Sequence, residues 1–401
     1  MSNDTVLPKY RFIILLAILP SIISTEMMWL SLAPISSMAE QYYGVNSLSI
    51  AMFSMSYMIM YILFSIPASW TVDKYGYRFS LIVGALITTV FGIIRFLFAD
   101  HFTIVLIAQF MIAIGQPFLL NISTKVPANW FPLSERATAG GILTMAQYIG
   151  FAIPMLLAPM IAEKSGIKSV FLVFAIIASI SAVIAIVFTR EKPAVPPPGP
   201  IASKEDISLK SIHKLLRNKA FLLILFICFI SIGIFNTLLT LLETILLPRG
   251  INSAQAGIIG TVFVLAGIIG AVVLPILSDS LHKRTIFFVG NVALLIPIYL
   301  AFTFVQDYFL LNVLAGIAGF LTMGVAPILF QHGTEIAYPL PEGTSLGFIL
   351  LMGQISGALF VFIFEGLHNL SGSVIVPMLG IVLLTVCELP AALHMKESKI
   401  K

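Results

Sequence analysis

The chain has 401 residues and a formal net charge of +4, and it is 59% apolar but only 10% charged. Soluble domains are about 45–50% apolar and about 25% charged, so a soluble fold is excluded and a lipid bilayer is the expected solvent. Its two cysteines, Cys228 and Cys387, lie in apolar stretches and exclude a disulfide framework or a cysteine-based metal cluster, and we expect no metal and no cofactor.

Twelve apolar stretches, each long enough to cross a bilayer as a helix of roughly 20 residues, follow one another along the chain. We number them spans 1 to 12. They cover residues 10–34, 47–70, 79–99, 102–126, 138–162 and 169–189, and then 220–247, 254–278, 285–304, 308–332, 344–367 and 373–394. The expected fold class is therefore all-α and integral to the membrane.

One stretch of the chain occurs twice. Phe131–Gly150 reads FPLSERATAGGILTMAQYIG and Tyr338–Gly357 reads YPLPEGTSLGFILLMGQISG, at an offset of 207 residues. Unrelated apolar helices would share Leu and Met but not Pro, Glu and Gln in register, so we interpret the match as an internal repeat. The predicted domains are an N-terminal six-helix half at 1–189, a cytoplasmic linker at 190–219 and a C-terminal six-helix half at 220–401.

The distribution of Lys and Arg predicts how the chain lies in the membrane. Most basic residues fall on the side of the predicted spans that holds both termini and the linker. The exceptions are Arg95, Lys164, Lys168 and Arg249. Because basic residues accumulate on the cytoplasmic side, we expect a multi-pass protein of the plasma membrane with both termini in the cytoplasm. The positive charge is then a topology signal, and no nucleic-acid partner is expected.

Four cytoplasmic loops, two in each half, carry charged residues in patterns that the halves share. The turns between spans 2 and 3 and between spans 8 and 9 contain Asp73, Lys74 and Arg78, and Asp279, Lys283 and Arg284. The repeated stretch adds Glu135 and Arg136 in its first copy and Glu342 in its second. Ordinary positive-inside turns explain the bases but not the repeated Asp. We therefore interpret these residues as a gate that locks one conformation and releases another.

Two carboxylates and one guanidinium are predicted inside the membrane. Glu26 in span 1 precedes Trp29 by three residues, and Glu243 in span 7 follows Asn236 by seven, so each pair shares a helix face. A buried acid is costly and usually functional, so each is a candidate proton-coupling site or cation partner. Exposure at the outer end of the helix is the alternative. Arg95 in span 3 could bind an anion, pair with Glu26 or extend to the outer interface.

Short motifs resemble those of known transporters. The turn at Asp73–Arg78 resembles the D-R-x-G-R-R signature of the major facilitator superfamily, although Ser69 replaces its leading Gly and Tyr77 one of its basic residues. Other stretches resemble the feline leukaemia virus subgroup C receptor-related branch, which is associated with choline, ethanolamine and haem. They are Tyr43–Val45, Pro67–Trp70, Gln116 with Trp130–Phe131, Glu335–Pro339 and Glu342–Ser345. The resemblance implies twelve transmembrane helices in two six-helix halves related by pseudo-twofold symmetry.

The resemblance also implies a central ligand pocket. Trp29 falls on the position of the family's ligand-caging Trp, and Gln116 and Gln354 fall on pocket glutamines. Asn236 stands where the family has Tyr, and Gln331 where it has Glu, so one aromatic face and one acid that would hold a quaternary ammonium are missing. An interfacial anchor for Trp29 and interhelical hydrogen bonds for the glutamines are the alternative roles.

These features favour a secondary transporter that moves a small organic solute by alternating access. The expected solute is a cation or zwitterion, of choline, amine or vitamin type, with Trp29 packed on it, Glu26 supplying charge and protons as a candidate coupling ion. An organic-anion carrier that uses Arg95 is the alternative, and a non-transporting membrane receptor or sensor is an alternative of another class.

Two other acids, Glu365 and Glu388, lie near helix ends, so we expect both side chains to be solvated. Without clustered His residues or paired acids at depth, the chain is not expected to be an enzyme. We expect a monomer whose partners are its solute and the lipid bilayer.

Overall fold

The computed structural model describes residues 9–123, 125–193, 217–281, 283–337 and 342–397, with only the backbone at 133, 134, 137 and 342–344. Most of the predicted linker 190–219 and the side chain of the predicted gating residue Glu342 therefore lie outside the described residues.

The described elements are helical throughout. They are α1 (Tyr10–Trp29), α2 (Ser36–Tyr43), α3 (Ser47–Tyr75), α4 (Tyr77–Leu97), α5 (Phe102–Leu120), α6 (Lys125–Trp130), α7 (Leu133–Ser165), α8 (Ile167–Phe188), α9 (Lys219–Leu246), α10 (Ser253–Leu281), α11 (Thr285–Phe304), α12 (Tyr308–Ala337), α13 (Glu342–Ser371) and α14 (Ile375–His394). Twelve helical segments in the described part of the chain are long and apolar enough to cross a membrane. This confirms the twelve predicted spans, and the first runs on from α1 through a short 3-10 turn into α2, ending at Tyr43.

Two turns show how the sequence ends one helix and starts the next. Gly44 follows α2 in the left-handed conformation (φ 65°), and Gly76 separates α3 from α4 at φ 93°. L-residues with a side chain rarely adopt these angles, so glycine permits both sharp reversals. The turn at Gly76 lies within the predicted charged motif.

Contacts group the chain into two compact units that are not continuous in sequence. Unit 1 comprises Met1–Ser31, Leu63–Ile153 and Ile161–Lys204, and unit 2 comprises Leu32–Ile62, Pro154–Met160 and Glu205–Lys401. Spans 1, 2 and 5 contribute to both. The six-helix halves at 1–189 and 220–401 stay a prediction about the internal repeat, because grouping by contact does not test it.

Unit 1 is held together by apolar packing of α1, α4, α5 and α8. Its core includes Ile18, Leu81 and Leu143, which are fully buried. The backbones approach closely at Gly84 of α4 and Gly115 of α5, where a Cβ on Gly84 would lie 2.9 Å from the Gly115 carbonyl oxygen. Small residues at such crossings let membrane helices pack closely where no hydrophobic force drives them together.

Helices of unit 2 also pack closely at glycines. Helices α10 and α12 pack along their length, and a Cβ on Gly319 would lie 1.9 Å from the Phe263 carbonyl oxygen. Helix α9 packs on α13 and is interrupted at Leu241, whose backbone angles (φ −110°, ψ 15°) are not helical. The interruption separates Asn236 from Glu243, so these two predicted site residues lie on either side of the break.

Candidate solute-binding site

A buried polar contact of unit 1 joins Glu26 to Gln116. Glu26 is 1% exposed, and the Gln116 Nε2 atom donates to both of its carboxylate oxygens at 3.1 and 3.2 Å. The Gln116 Oε1 atom is buried and accepts no hydrogen bond from the described residues. The structure therefore brings two predicted site residues together from α1 and α5, and leaves one amide acceptor unused.

The end of the first repeated stretch packs against this pair. A Cβ on Gly150 would lie 2.6 Å from the Cβ of Glu26, so only glycine allows α7 to approach α1 here. The residue after Gly150 is Phe151, whose ring contacts Trp29 edge-on at 5.2 Å between centroids. Glu26 and Trp29 thus face the same short segment of α7, as their spacing in α1 predicts.

Trp29 belongs to an aromatic cluster that the sequence analysis found only in part. Phe151 contacts Trp29, and Tyr148 contacts Phe151 at 6.0 Å, and all three are buried. The spacing of Phe151, one residue past the repeated Gly150, is the signal that could have identified it. Aromatic rings beside a carboxylate are the groups that hold organic cations in proteins.

Arg95 lies in the last turn of α4 and is fully buried inside unit 1. Its Nη1 atom donates to Ser31 Oγ at 3.1 Å and to Gln109 Oε1, and its guanidinium lies over the Phe171 ring at 4.5 Å. The acceptors of these bonds come from the end of span 1 and from α5. The Nη1 and Nη2 atoms of Arg95 donate to protein groups, Nη2 to the Met28 sulfur. The hydrogen bonds that Glu26 accepts come from Gln116.

Asn236 and Gln354 lie close together in unit 2. Asn236 is buried, and its Nδ2 atom donates to the Gly353 carbonyl oxygen at 3.3 Å. Gln354 is the next residue of α13 and is half-buried. A Cβ on Gly357 would lie 2.5 Å from Asn236 Nδ2, so glycines at both positions allow α9 and α13 to approach.

Gln331 occupies a different part of unit 2. It is exposed, and its Nε2 atom donates to Glu335 Oε1 at 3.1 Å, one turn along α12. Glu335 in turn forms an ion pair with Arg284 at 2.7 Å, just before α11 begins. The structure therefore links Gln331 to the predicted gating residue Arg284 through Glu335.

Glu243 is buried and receives more hydrogen bonds than the other predicted acid. Its carboxylate accepts from the Ser37 backbone N–H at 2.8 Å, from the Ser253 hydroxyl at 2.6 Å and from the hydroxyls of Ser36 and Ser37. Ser36 begins α2 and Ser253 begins α10, and the N-terminus of a helix favours negative charge. The arrangement suits an ionised carboxylate that ties three helices of unit 2 together, and the alternative of an exposed Glu243 is wrong.

The predicted gating residues make contacts within each unit. Asp73 pairs with Lys125 at 3.0 Å, Lys74 lies over the Trp70 ring, and Arg78 Nη2 donates to the Ile186 carbonyl. Arg11 binds Glu135 at 3.1 Å, and Arg136 donates to the Phe131 carbonyl. Asp279 and Lys283 are exposed.

Two further carboxylates hold these turns, and the sequence analysis missed both. Glu191 accepts hydrogen bonds from the backbone N–H groups of Tyr77 and Arg78, where α4 begins. Glu397 accepts from those of Arg284 and Thr285, where α11 begins. Each acid follows the last span of its half, and the two lie 206 residues apart, which is the signal that could have found them.

The environment of Glu397 shifts its titration. Partial burial alone would raise the pKa of this carboxyl, but hydrogen bonds from Thr285 and from the backbone N–H of Arg284 outweigh burial and lower the pKa. The N–H groups and partial positive charge at a helix N-terminus favour the ionised form of a carboxyl over its protonated form.

Two other acids are not where the sequence analysis expected them. Glu365 and Glu388 were expected to be solvated, and both are buried. Glu365 accepts a hydrogen bond from Ser47 at 2.8 Å, and Glu388 accepts one from Ser231. Position near a helix end does not expose a side chain when a neighbouring helix covers that face.

Comparison with known proteins agrees with this architecture. The family model for the Major Facilitator Superfamily matches residues 14–361. Relatives include the choline/ethanolamine transporter flvcr2b of Danio rerio, 29% identical over 89% of this chain and 78% of the relative. Solute carrier family 49 member A3 of Danio rerio is 30% identical over 86% and 76%. Choline/ethanolamine transporter FLVCR2 of Homo sapiens is 27% identical over 83% and 67%.

A solved structure shares the fold. The crystal structure of a bacterial homologue of the human lysosomal transporter Spinster superposes with a TM-score of 0.77 at 15% identity and covers 96% of both chains. Twelve candidate membrane helices, the matched family model and this superposition lead to one conclusion. The chain is a multi-pass membrane transporter that belongs to the Major Facilitator Superfamily.

Proposed function

We propose that this protein is a secondary transporter of a small organic cation or zwitterion, related in chemistry to choline and ethanolamine. The observation that carries the proposal is the buried Glu26–Gln116 pair beside the aromatic cluster of Trp29, Tyr148 and Phe151. The names of similar proteins, which are choline/ethanolamine transporters, support the same solute class.

The chemistry of the pair fits an ammonium ligand. A carboxylate buried in a membrane protein is costly, and one amide donor leaves most of that cost in place. A cation that reached Glu26 would offset this cost, and aromatic faces would add roughly 0.5–2 kcal/mol each. The unused Gln116 Oε1 atom could accept a hydrogen bond from a solute hydroxyl or N–H group. Ethanolamine and choline carry a hydroxyl two carbons from the nitrogen.

Three residues of unit 2 are also proposed to contact the solute, because they fall on pocket positions of the similar transporters. Asn236 on α9, which donates to the Gly353 carbonyl, and Gln354, the next residue of α13, are proposed to contact the solute with their amides. Gln331 is proposed as well, although its amide is bonded to Glu335. We further propose alternating access with the charged turns as gates, both termini in the cytoplasm, a plasma-membrane location and a monomeric state.

Proton coupling through Glu26 is part of the proposal. A carboxyl that alternates between a solute cation and a proton exchanges one positive charge for another, so the site never carries a bare charge. Glu243 is a weaker candidate for this role because its four hydrogen-bond donors already stabilise the ionised form.

Uptake into proteoliposomes tests the proposal. Purified protein is reconstituted, and entry of radiolabelled choline, ethanolamine and a dicarboxylate is measured. We expect uptake of a cation, its loss in Glu26→Gln, and no change in Glu163→Gln, which alters an exposed acid of α7. Dicarboxylate uptake without cation uptake, or cation uptake that is unchanged in Glu26→Gln, would contradict the proposal.

A further inference from the structure

Glu388 is a buried acid that none of the roles above uses. It lies on α14, is 2% exposed, and accepts a hydrogen bond from the Ser231 hydroxyl of α9. Two titratable groups interact with it electrostatically, the Cys228 thiol on α9 and the Tyr299 hydroxyl on α11. Among the described residues no cation forms an ion pair with it.

Glu388 accepts fewer hydrogen bonds from the described residues than Glu243 does. Both are buried carboxyl groups of unit 2. Glu243 accepts four hydrogen bonds and lies at the N-termini of two helices, whereas the described donor to Glu388 is one hydroxyl. An ionised carboxylate in an apolar interior is stable only when paired or fully hydrogen-bonded. The surroundings of Glu388 therefore suit a neutral carboxylic acid.

The internal repeat indicates that packing alone does not require an acid here. At the offset of 207 residues, Ser231 corresponds to Ser24 and Glu388 to Ser181. In unit 1 the Ser21 hydroxyl donates to the Ser181 backbone carbonyl across α1 and α8, while the Ser24 and Ser181 hydroxyls donate to carbonyls of their own helices. A neutral serine thus joins α1 to α8 at this level. The contact between α9 and α14 uses a titratable side chain instead.

We propose that Glu388 is a proton-binding site, separate from the solute site, and that its proton controls how tightly α14 holds α9. Loss of the proton would place a charge between α9, α11 and α14 with one hydroxyl to stabilise it, and would loosen this contact. Helix α9 also carries Asn236, five residues after Ser231, and the break at Leu241. Transport that depends on movement of α9 would then respond to pH through Glu388.

Chemical labelling tests the proton site without any solute. Dicyclohexylcarbodiimide dissolves in bilayers and reacts with protonated carboxyl groups to form stable acylureas, which mass spectrometry of peptides locates. We expect label on Glu388 of the reconstituted protein at neutral pH, falling as pH is raised, and none on Glu243. An unlabelled Glu388, or equal labelling of Glu388 and Glu243, would overturn the proposal.

A variant then tests the link to transport. Glu388→Gln mimics the protonated acid at every pH, so we expect the pH dependence of choline or ethanolamine uptake to flatten. Cys387→Ser changes the neighbouring exposed residue and should keep the wild-type profile. A Glu388→Gln profile that superimposes on the wild type would exclude the control of transport. Because labelling needs no solute, failure of the proposed solute class would show as absent uptake with labelling intact.

Discussion

The Glu191 carboxylate accepts a hydrogen bond from the backbone N–H of Arg78 at 2.8 Å, so an acid two residues past span 6 caps the first turn of α4, the helix of span 3. Glu397 caps the first turn of span 9 in the same way. The first turn of a helix has unpaired N–H groups and a partial positive charge, and an acid satisfies both. The two halves therefore stabilise their charged turns with equivalent acids, which supports the internal repeat independently of Phe131–Gly150.

Removing either cap should destabilise the protein. Helix caps contribute about 0.5–2 kcal/mol, so Glu191→Ala and Glu397→Ala should each lower the melting temperature of the purified protein by a few degrees. Glu163→Ala, at an exposed position of α7, is the control. Melting temperatures equal to that of the control would show that these caps do not contribute to stability.

The effect of Glu397 should depend on pH. Its folded-state pKa is lowered, so its contribution to stability is present above the unfolded-state pKa and is lost as pH falls through the folded-state value. The difference in melting temperature between wild type and Glu397→Gln should therefore be largest near neutral pH and shrink in acid. A difference that grows as pH falls would contradict this assignment.

The glycine at the end of the repeated stretch should tolerate no side chain. In Gly150→Ala the new Cβ would lie 2.6 Å from the Cβ of Glu26, so α7 and α1 would have to separate. We expect loss of uptake and lower stability. Gly141→Ala, on the same helix with nothing within 4 Å of its Cβ, should be neutral or slightly stabilising. Equal behaviour of the two variants would show that the close approach is unimportant.

The membrane spans can be derived from the sequence, whereas several hydrogen-bond partners of the buried acids cannot. Hydropathy alone locates twelve membrane helices, and helical spacing places Glu26 beside Trp29. The pairing of Glu26 with Gln116 depends on how α1 and α5 align, across 90 residues of chain, and no local pattern encodes that alignment. Glu388 was misjudged for the same reason, because burial by α9 is a property of packing.

The Glu243 cluster should be a stability element. Ser37→Ala removes a hydroxyl that donates to a buried carboxylate, and hydrogen bonds to charged groups contribute about 1.5–3 kcal/mol. We expect a clear fall in melting temperature, and a double-mutant cycle with Glu243→Gln should give a coupling energy well above zero. Ser49→Ala, whose hydroxyl bonds the exposed Asn46 side chain, is the control. Additive effects of Ser37→Ala and Glu243→Gln would contradict a direct interaction.

The aromatic cluster should control affinity for the cation. In Trp29→Ala the face that packs on Phe151 is lost, and a cation–π contact contributes roughly 0.5–2 kcal/mol, so the KM for choline or ethanolamine should rise about 2- to 30-fold. Trp29→Phe keeps an aromatic ring and should retain most of the affinity. Trp70→Phe, at a side chain that is 56% exposed, should leave the KM unchanged.

If Trp29 only anchors the helix at the interface, Trp29→Ala and Trp29→Phe would lower the amount of folded protein but leave the KM of the remaining folded protein unaltered. Measuring KM and folded fraction on the same preparations therefore separates a ligand contact from an anchor.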